Sequence, residues 1–165
     1  MGLEEHRKRG PKSVKCAIIV TSDAREPQTD KSGSLIGALI KDAGHEITGY
    51  RIVRNNAKDL AEALEDLMAG SQAVIVSGGT GVSKKDLTVD TIEPLLQKKL
   101  SGFGELFRHL SYSEIGSAAL LSRAVAGTLG SKVVFCLPGS EGGVMLAMKN
   151  LILPELSHII GELEK

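Results

Sequence analysis

Apolar residues along the chain follow two alternating patterns. Val14 to Val20 (VKCAIIV), Ala73 to Val76 (AVIV) and Lys132 to Leu137 (KVVFCL) are almost continuously apolar and rich in β-branched residues, as strands covered on both faces must be. Ile47 to Val53 (ITGYRIV) gives a weaker strand signal that suits an edge. Between these runs the apolar positions recur at helical spacing. Leu35, Ile36, Leu39, Ile40 and Ala43 follow Ser32 as N-cap and stop at Gly44, and Leu60, Ala61, Leu64, Leu67 and Met68 run out at Gly70. Thr88 to Leu96, Phe103 to Leu110 and Ser113 to Ser122 predict three short helices, with Pro94 tolerable only in a first turn. Thr128 to Ser131 reads as a turn. Val144, Ala147, Met148 and Leu151, then Leu156, Ile159, Ile160 and Leu163, predict one kinked helix or two consecutive ones around Pro154.

Strands alternating with helices predict an α/β fold, a three-layer doubly wound arrangement with a mostly parallel central sheet and helices on both faces. Its 165 residues suit one domain, which should begin near Val14. Residues 1–13, with the basic run His6-Arg7-Lys8-Arg9, read as a flexible tail.

Twenty basic and twenty acidic residues balance, so no overall field recommends nucleic acid or an anionic membrane as partner, and any anion specificity must be local. No apolar run suggests a membrane span and no apolar leader precedes the fold, which makes a cytoplasmic location the expectation. Three Phe, two Tyr and no Trp offer little for stacking on single-stranded nucleic acid, so a small charged ligand is the better expectation. Cys16 and Cys136 fall in strand runs, where an unpaired thiol is a small buried hydrophobe. The four histidines show no metal-ligand spacing.

The chemistry gathers where the fully apolar strands end. They stop in Thr21-Ser22-Asp23, in Ser77-Gly78-Gly79-Thr80-Gly81 and in Pro138-Gly139-Ser140. The middle loop matches neither G-x-x-x-x-G-K-[ST] nor G-x-G-x-x-G, and taken alone it is more often only the turn that leaves a strand. In a doubly wound sheet, however, ligands sit beyond the carboxyl ends of the strands, so three such loops on one edge predict a common polar crevice. It would hold backbone donors, the hydroxyls of Ser22, Thr80 and Ser140, and the carboxylates of Asp23, Asp30 and Asp86. Backbone nests bind phosphate, whereas carboxylates repel it unless a cation intervenes, so the mixture points to a phosphate-bearing substrate with Mg²⁺. After the second strand, Asn55 and Asn56 are open to two readings, helix cap or ligand contact.

Five segments occur together in one order: Ser77 to Gly81 with Asp86 and Thr88; Gly102-Phe103-Gly104-Glu105-Leu106-Phe107-Arg108; Leu110-Ser111-Tyr112; Leu121-Ser122-Arg123-Ala124; and Leu137-Pro138-Gly139-Ser140. This set resembles the MoaB/MogA family of molybdenum cofactor biosynthesis, with the stretch from Phe103 to Ala124 closer to the MoaB branch. The resemblance runs from about Val14 to the C-terminus. It implies a single MoaB/MogA-like domain over 14–165 that binds molybdopterin and assembles as a trimer or hexamer. It further implies transfer of AMP from ATP to the terminal phosphate of molybdopterin with Mg²⁺, and hand-over of the product to a metal-insertion protein.

Carried over by position, the resemblance has Gly78, Gly79, Thr80 and Gly81 cradle phosphate and Asp86 bind or orient Mg²⁺. Asp23, Asp30, Ser32 and Gly33 border the nucleotide, beside the substrate-binding candidate Ser22 of the crevice, with Pro138, Gly139 and Ser140 on the same side. Glu105, Ser111, Ser122 and Arg123 line the pterin side, Arg123 with a fork suited to phosphate. For Glu105 and Arg108 an ion pair on the helix surface is the competing reading. Three residues depart from the pattern. Asn55 stands where active relatives carry an acidic residue, which removes a charge that a Mg²⁺ site prefers. Lys85 replaces the usual arginine before Asp86, and Glu141 stands where proline is common. With Asp86 and Asn55 as the catalytic candidates, two functions are expected: an adenylyltransferase, or a molybdopterin-binding or carrier protein of the same fold.

Overall fold

Alternation of side chains along three apolar strands divides the core into two layers. The structure is a computed structural model that describes residue 2, residues 10–24 and residues 26–165. In β1 (Lys15–Thr21), Cys16, Ile18 and Val20 face one layer while Ala17 and Ile19 face the other. The same holds in β3 (Ala73–Ser77) and β6 (Lys132–Leu137), where Ile75, Val133, Phe135 and Leu137 join the first layer and Val74, Val76, Val134 and Cys136 the second. Because both faces are covered, these strands carry no polar alternation.

The sheet order is β2-β1-β3-β6-β5-β4, with β2 (Glu46–Val53) parallel to β1 at one edge. β1, β3 and β6 are parallel, so their C-terminal ends share one edge of the sheet. Beyond them, β5 (Val125–Leu129) and the two-residue β4 (Lys98–Lys99) are antiparallel. Helix α1 (Lys31–Asp42) contributes Ile36 and Ile40 to the first core layer, whereas α2 (Ala57–Ala69) contributes Leu60 and Leu64 to the second. The short α3 (Thr88–Ile92) adds Ile92 to the second layer, and α4 (Ser101–Ile115) adds Phe103 and Phe107 to the first. Helices on both faces make this a three-layer α/β fold.

Several expected boundaries move. The cap of α1 is Asp30, whose carboxylate accepts from Gly33 N–H, and Ser32 lies inside the helix. Helix α4 runs unbroken to Ile115, where Gly116 at φ +63° turns the chain into a 3₁₀ segment over Gly116–Leu121, so no separate helix begins at Ser113. Leu129 and Lys132 pair across Gly130-Ser131, which narrows the expected turn to two residues. At the C-terminus α5 (Glu141–Ala147), a π-helical stretch (Met148–Ile152) and α6 (Leu153–Leu163) form one 23-residue helix, with Pro154 in the first turn after the π stretch. That helix is long and apolar enough to cross a membrane, contrary to expectation, but one stripe of it, Val144, Met148, Ile152, Leu156 and Ile160, is wholly buried in the first core layer. The run His6 to Arg9 lies outside the described residues, and Gly10 passes directly against the Ser157 backbone.

Candidate functional site

The loop after β3 is built on backbone that only glycine adopts without strain. Gly78 has φ +100° and Gly79 φ +68°, and a Cβ on Gly78 would lie 2.7 Å from the Thr21 carbonyl oxygen. Gly78 N–H donates to Leu137 O at 2.9 Å, which ties the loop to β6. In the residues that follow, the carbonyls are held and the amides are not. Gly78 O accepts from Thr88 Oγ1 at 2.7 Å and Gly79 O from Thr88 N–H at 3.0 Å. Thr80 O accepts from Arg123 N–H at 2.9 Å, and Gly81 O from Arg123 Nε at 2.8 Å. Among the described residues, no hydrogen bond uses the N–H of Gly79, Thr80, Gly81 or Val82. Asp86 closes the loop by accepting Ser83 N–H on Oδ2 at 2.8 Å, which leaves Oδ1 without a partner among the described residues.

The loop after β6 faces it. Ser140 caps the long C-terminal helix, its Oγ accepting Gly143 N–H at 3.2 Å, so the positive end of that helix opens on the same edge. Together the two loops and α4 enclose a cleft of about 490 Å³. Gly79, Thr80, Gly81 and Asp86 form one side, and Pro138, Gly139, Ser140, Gly142 and Gly143 another. The wall from α4 and the 3₁₀ segment is largely apolar, with Phe107, Ile115 and Leu121, and carries Ser111, Glu114 and Ser122. Thr80 is buried, yet its hydroxyl opens onto the cleft, since no buried side-chain polar atom lacks a partner among the described residues and this one makes no hydrogen bond. The sequence reading missed Glu114, Gly142 and Gly143. Glu114 follows Ser111 by three residues and so shares its helix face, a spacing that could have found it.

Other expected residues lie elsewhere. Ser22 and Asp23 line a separate groove with Tyr50 and Arg54, so two of the three strand-end loops share the cleft rather than all three. Asn55 N–H donates to Asp23 Oδ1 at 3.0 Å, while the cap of α2 is Asn56. The backbone and side-chain hydrogen bonds from Asn55 hold the exposed Asp23 carboxyl below the usual range, helped by Lys85 and Arg54. The buried Asp30 accepts from Ser32 Oγ and Gly33 N–H on one oxygen and from the hydroxyl of the exposed Tyr50 on the other, which fixes the start of α1.

Glu105 and Arg123 border another groove, which shares Ser122 with the cleft. The fork of Arg123 is held bidentately by Asp90 at 2.9 Å, and its Nη2 also donates to Asp86 O at 3.1 Å, so it grips the glycine loop rather than the cleft. Hydrogen bonding between the two pushes the Asp90 carboxyl down and the Arg123 guanidinium up. Arg108 pairs with no carboxylate among the described residues; it donates to Ser122 O and Ala124 O. Burial pushes the Cys16 thiol up to about 12 and Cys136 higher still, which leaves neither nucleophilic.

Known proteins share this whole framework. Residues 17–158 match a family described as a probable molybdopterin binding domain. Molybdenum cofactor biosynthesis protein B of Bacillus cereus is 49% identical, over 100% of this chain and 99% of its own. Its namesake in Bacillus subtilis is 46% identical over the same shares. A crystal structure of a molybdenum cofactor biosynthesis protein B superposes with a TM-score of 0.90 at 50% identity, covering 93% of this chain and 98% of its own. The tungsten cofactor synthesizing protein MoaB from Pyrococcus furiosus gives 0.85 at 37% identity, over 94% and 99%. Since the likeness runs through both cleft-forming loops and spans nearly the full length of each partner, the chain belongs to the MoaB group of the molybdopterin-binding domain family.

Proposed function

We propose that the protein binds molybdopterin in this cleft and transfers AMP from ATP to its terminal phosphate. The observation that carries the reading is the polarity of the cleft: unpaired amides of Gly79, Thr80 and Gly81 at one end, and Phe107, Ile115 and Leu121 at the other. A flat heterocycle bearing a phosphate matches both ends. In the reaction an oxygen of that phosphate attacks the α-phosphorus of ATP. A new phosphorus–oxygen bond forms as the bond to the bridging oxygen breaks, and pyrophosphate leaves with the electron pair. The chain supplies position and positive potential: loop amides, the hydroxyls of Thr80 and Ser140, and the N-terminus of the C-terminal helix. Mg²⁺ is held by one or two carboxylates plus substrate phosphates, and Asp86, with Oδ1 open, fits that donor set; bound there it would neutralise phosphate charge.

A second reading, molybdopterin binding or delivery without adenylylation, is favoured by one observation. Asn55 brings no charge, and its amide is engaged by Asp23 outside the cleft. Incubation with ATP, Mg²⁺ and molybdopterin separates the two. Adenylylated molybdopterin and pyrophosphate are expected; bound pterin with neither product, where an active relative makes both, supports the carrier. If Asn55→Asp then restores product, the missing charge is the cause.

The proposal extends to a cytoplasmic homo-oligomer, a trimer or hexamer, that passes its product to a metal-insertion protein. Exposure of Leu106, Tyr112, Ile115 and Leu120 along α4 and the 3₁₀ segment supports self-association. Analytical ultracentrifugation showing only monomer at micromolar concentration would contradict it.

A further inference from the structure

We infer that Thr88 and Arg123 are positioning residues that aim four consecutive backbone N–H groups of the glycine loop. In a trans peptide the carbonyl of one residue and the N–H of the next lie in one plane and point in opposite directions, and no peptide among the described residues is cis. Fixing a carbonyl therefore fixes where the next N–H points. Thr88 Oγ1 holds Gly78 O and so directs Gly79 N–H. Thr88 N–H holds Gly79 O and so directs Thr80 N–H. Arg123 N–H holds Thr80 O and directs Gly81 N–H, and Arg123 Nε holds Gly81 O and directs Val82 N–H.

Neither anchor lines the cleft, whereas Gly79, Thr80 and Gly81 all do. The carbonyls are drawn to the far side of the loop, and the amides of these three residues are left on the ligand side. Without the anchors a glycine-rich segment could rotate its peptide units and present carbonyl oxygens, which repel anions. Two further bonds make the anchors rigid. Asp90 grips the Arg123 fork from α3, and Arg123 Nη2 donates to Asp86 O, so one guanidinium ties both ends of the loop from Gly81 to Asp86. Thr88 is buried, and its hydroxyl also meets Thr21 Oγ1 at 3.4 Å.

The inference deepens the phosphate reading of the cleft and rests on it for its consequence, but not for its geometry. The test uses the full chain with pyrophosphate as probe, and Thr88→Val, Thr88→Ser and Arg123→Lys. Residual dipolar couplings of the ligand-free protein read N–H directions one peptide at a time. Thr88→Val removes only the hydroxyl anchor, so it should move the coupling of Gly79. Arg123→Lys removes the Nε anchor, so it should move that of Val82. Val74 to Val76 should stay unchanged in both, which reports that the fold is intact. Pyrophosphate affinity by calorimetry should fall about tenfold in Thr88→Val and return in Thr88→Ser. Couplings at Gly79 and Val82 that match the wild type in both variants, or wild-type affinity in Thr88→Val, would overturn the inference. Moved couplings in a protein whose wild type binds neither pyrophosphate nor molybdopterin would instead reject the phosphate reading and leave the positioning role standing. If one variant does not fold, the coupling shift expected in the other decides.

Discussion

β1 and β3 are neighbouring parallel strands, equally apolar, and each ends in a polar loop at the same edge of the sheet. After β1 two backbone donors are taken up locally, Ser22 N–H by Val53 O at 2.8 Å and Ala24 N–H by Ser22 Oγ, and the Asp23 carboxylate accepts from Asn55 N–H. After β3 the carbonyls of Gly78 to Gly81 are held by Thr88 and Arg123, while among the described residues the N–H groups of Gly79 to Val82 are left over. Polar residues after an apolar strand are therefore not enough to make an anion site. What separates a turn that satisfies itself from one that binds is whether other elements hold its carbonyls.

The strongest way to break this contrast is to fill the space the glycines leave. Gly79→Ala forces a side chain to φ +68° and drives its Cβ into Thr88 Oγ1. The expected loss is about 2–4 kcal/mol of stability in urea unfolding, together with all measurable molybdopterin binding. Asp86→Asn keeps an acceptor for Ser83 N–H but removes the charge. If adenylyl transfer is the activity, turnover should drop on the order of 100-fold, with molybdopterin affinity within about threefold of wild type.

At the β1 end a smaller response is expected. Asn55→Asp should change molybdopterin affinity by less than about twofold, because the residue lies outside the cleft. It should also raise the titration point of Asp23, seen by carboxyl carbon NMR, through like-charge repulsion. In the wild type the folded Asp23 titrates below its unfolded value. The stability from its contact with Asn55 is thus complete above the unfolded carboxylate pKa and is lost as pH falls through the folded one.

Much of this was legible in the sequence, for identifiable reasons. Strands covered on both faces and helices with one apolar stripe announce themselves by period, and the loops after β3 and β6 by their glycines and hydroxyls. β5 was missed because Val125 to Leu129 includes Gly127, where a side chain would meet Lys98 O at 2.6 Å. β4 is two lysines whose strand character comes only from pairing with β5. Arg123 reads in sequence as a phosphate ligand because its fork suits phosphate. Its grip on Asp90 and the loop carbonyls joins segments about 33 to 42 residues apart, which no local pattern records. Asp30 reads as a ligand because it falls in a loop that the resemblance gives to the nucleotide, and it is a buried cap whose carboxylate is taken up by Ser32 and Gly33.

The most direct test of the account is a proton–nitrogen correlation titration of the full chain with molybdopterin. The largest amide shifts should fall at Gly79, Thr80 and Gly81, with smaller ones at Gly142 and Gly143 and none at Ser22 or Asn55. Shifts centred on Ser22, Asp23 and Arg54 with the glycine amides unmoved would contradict it.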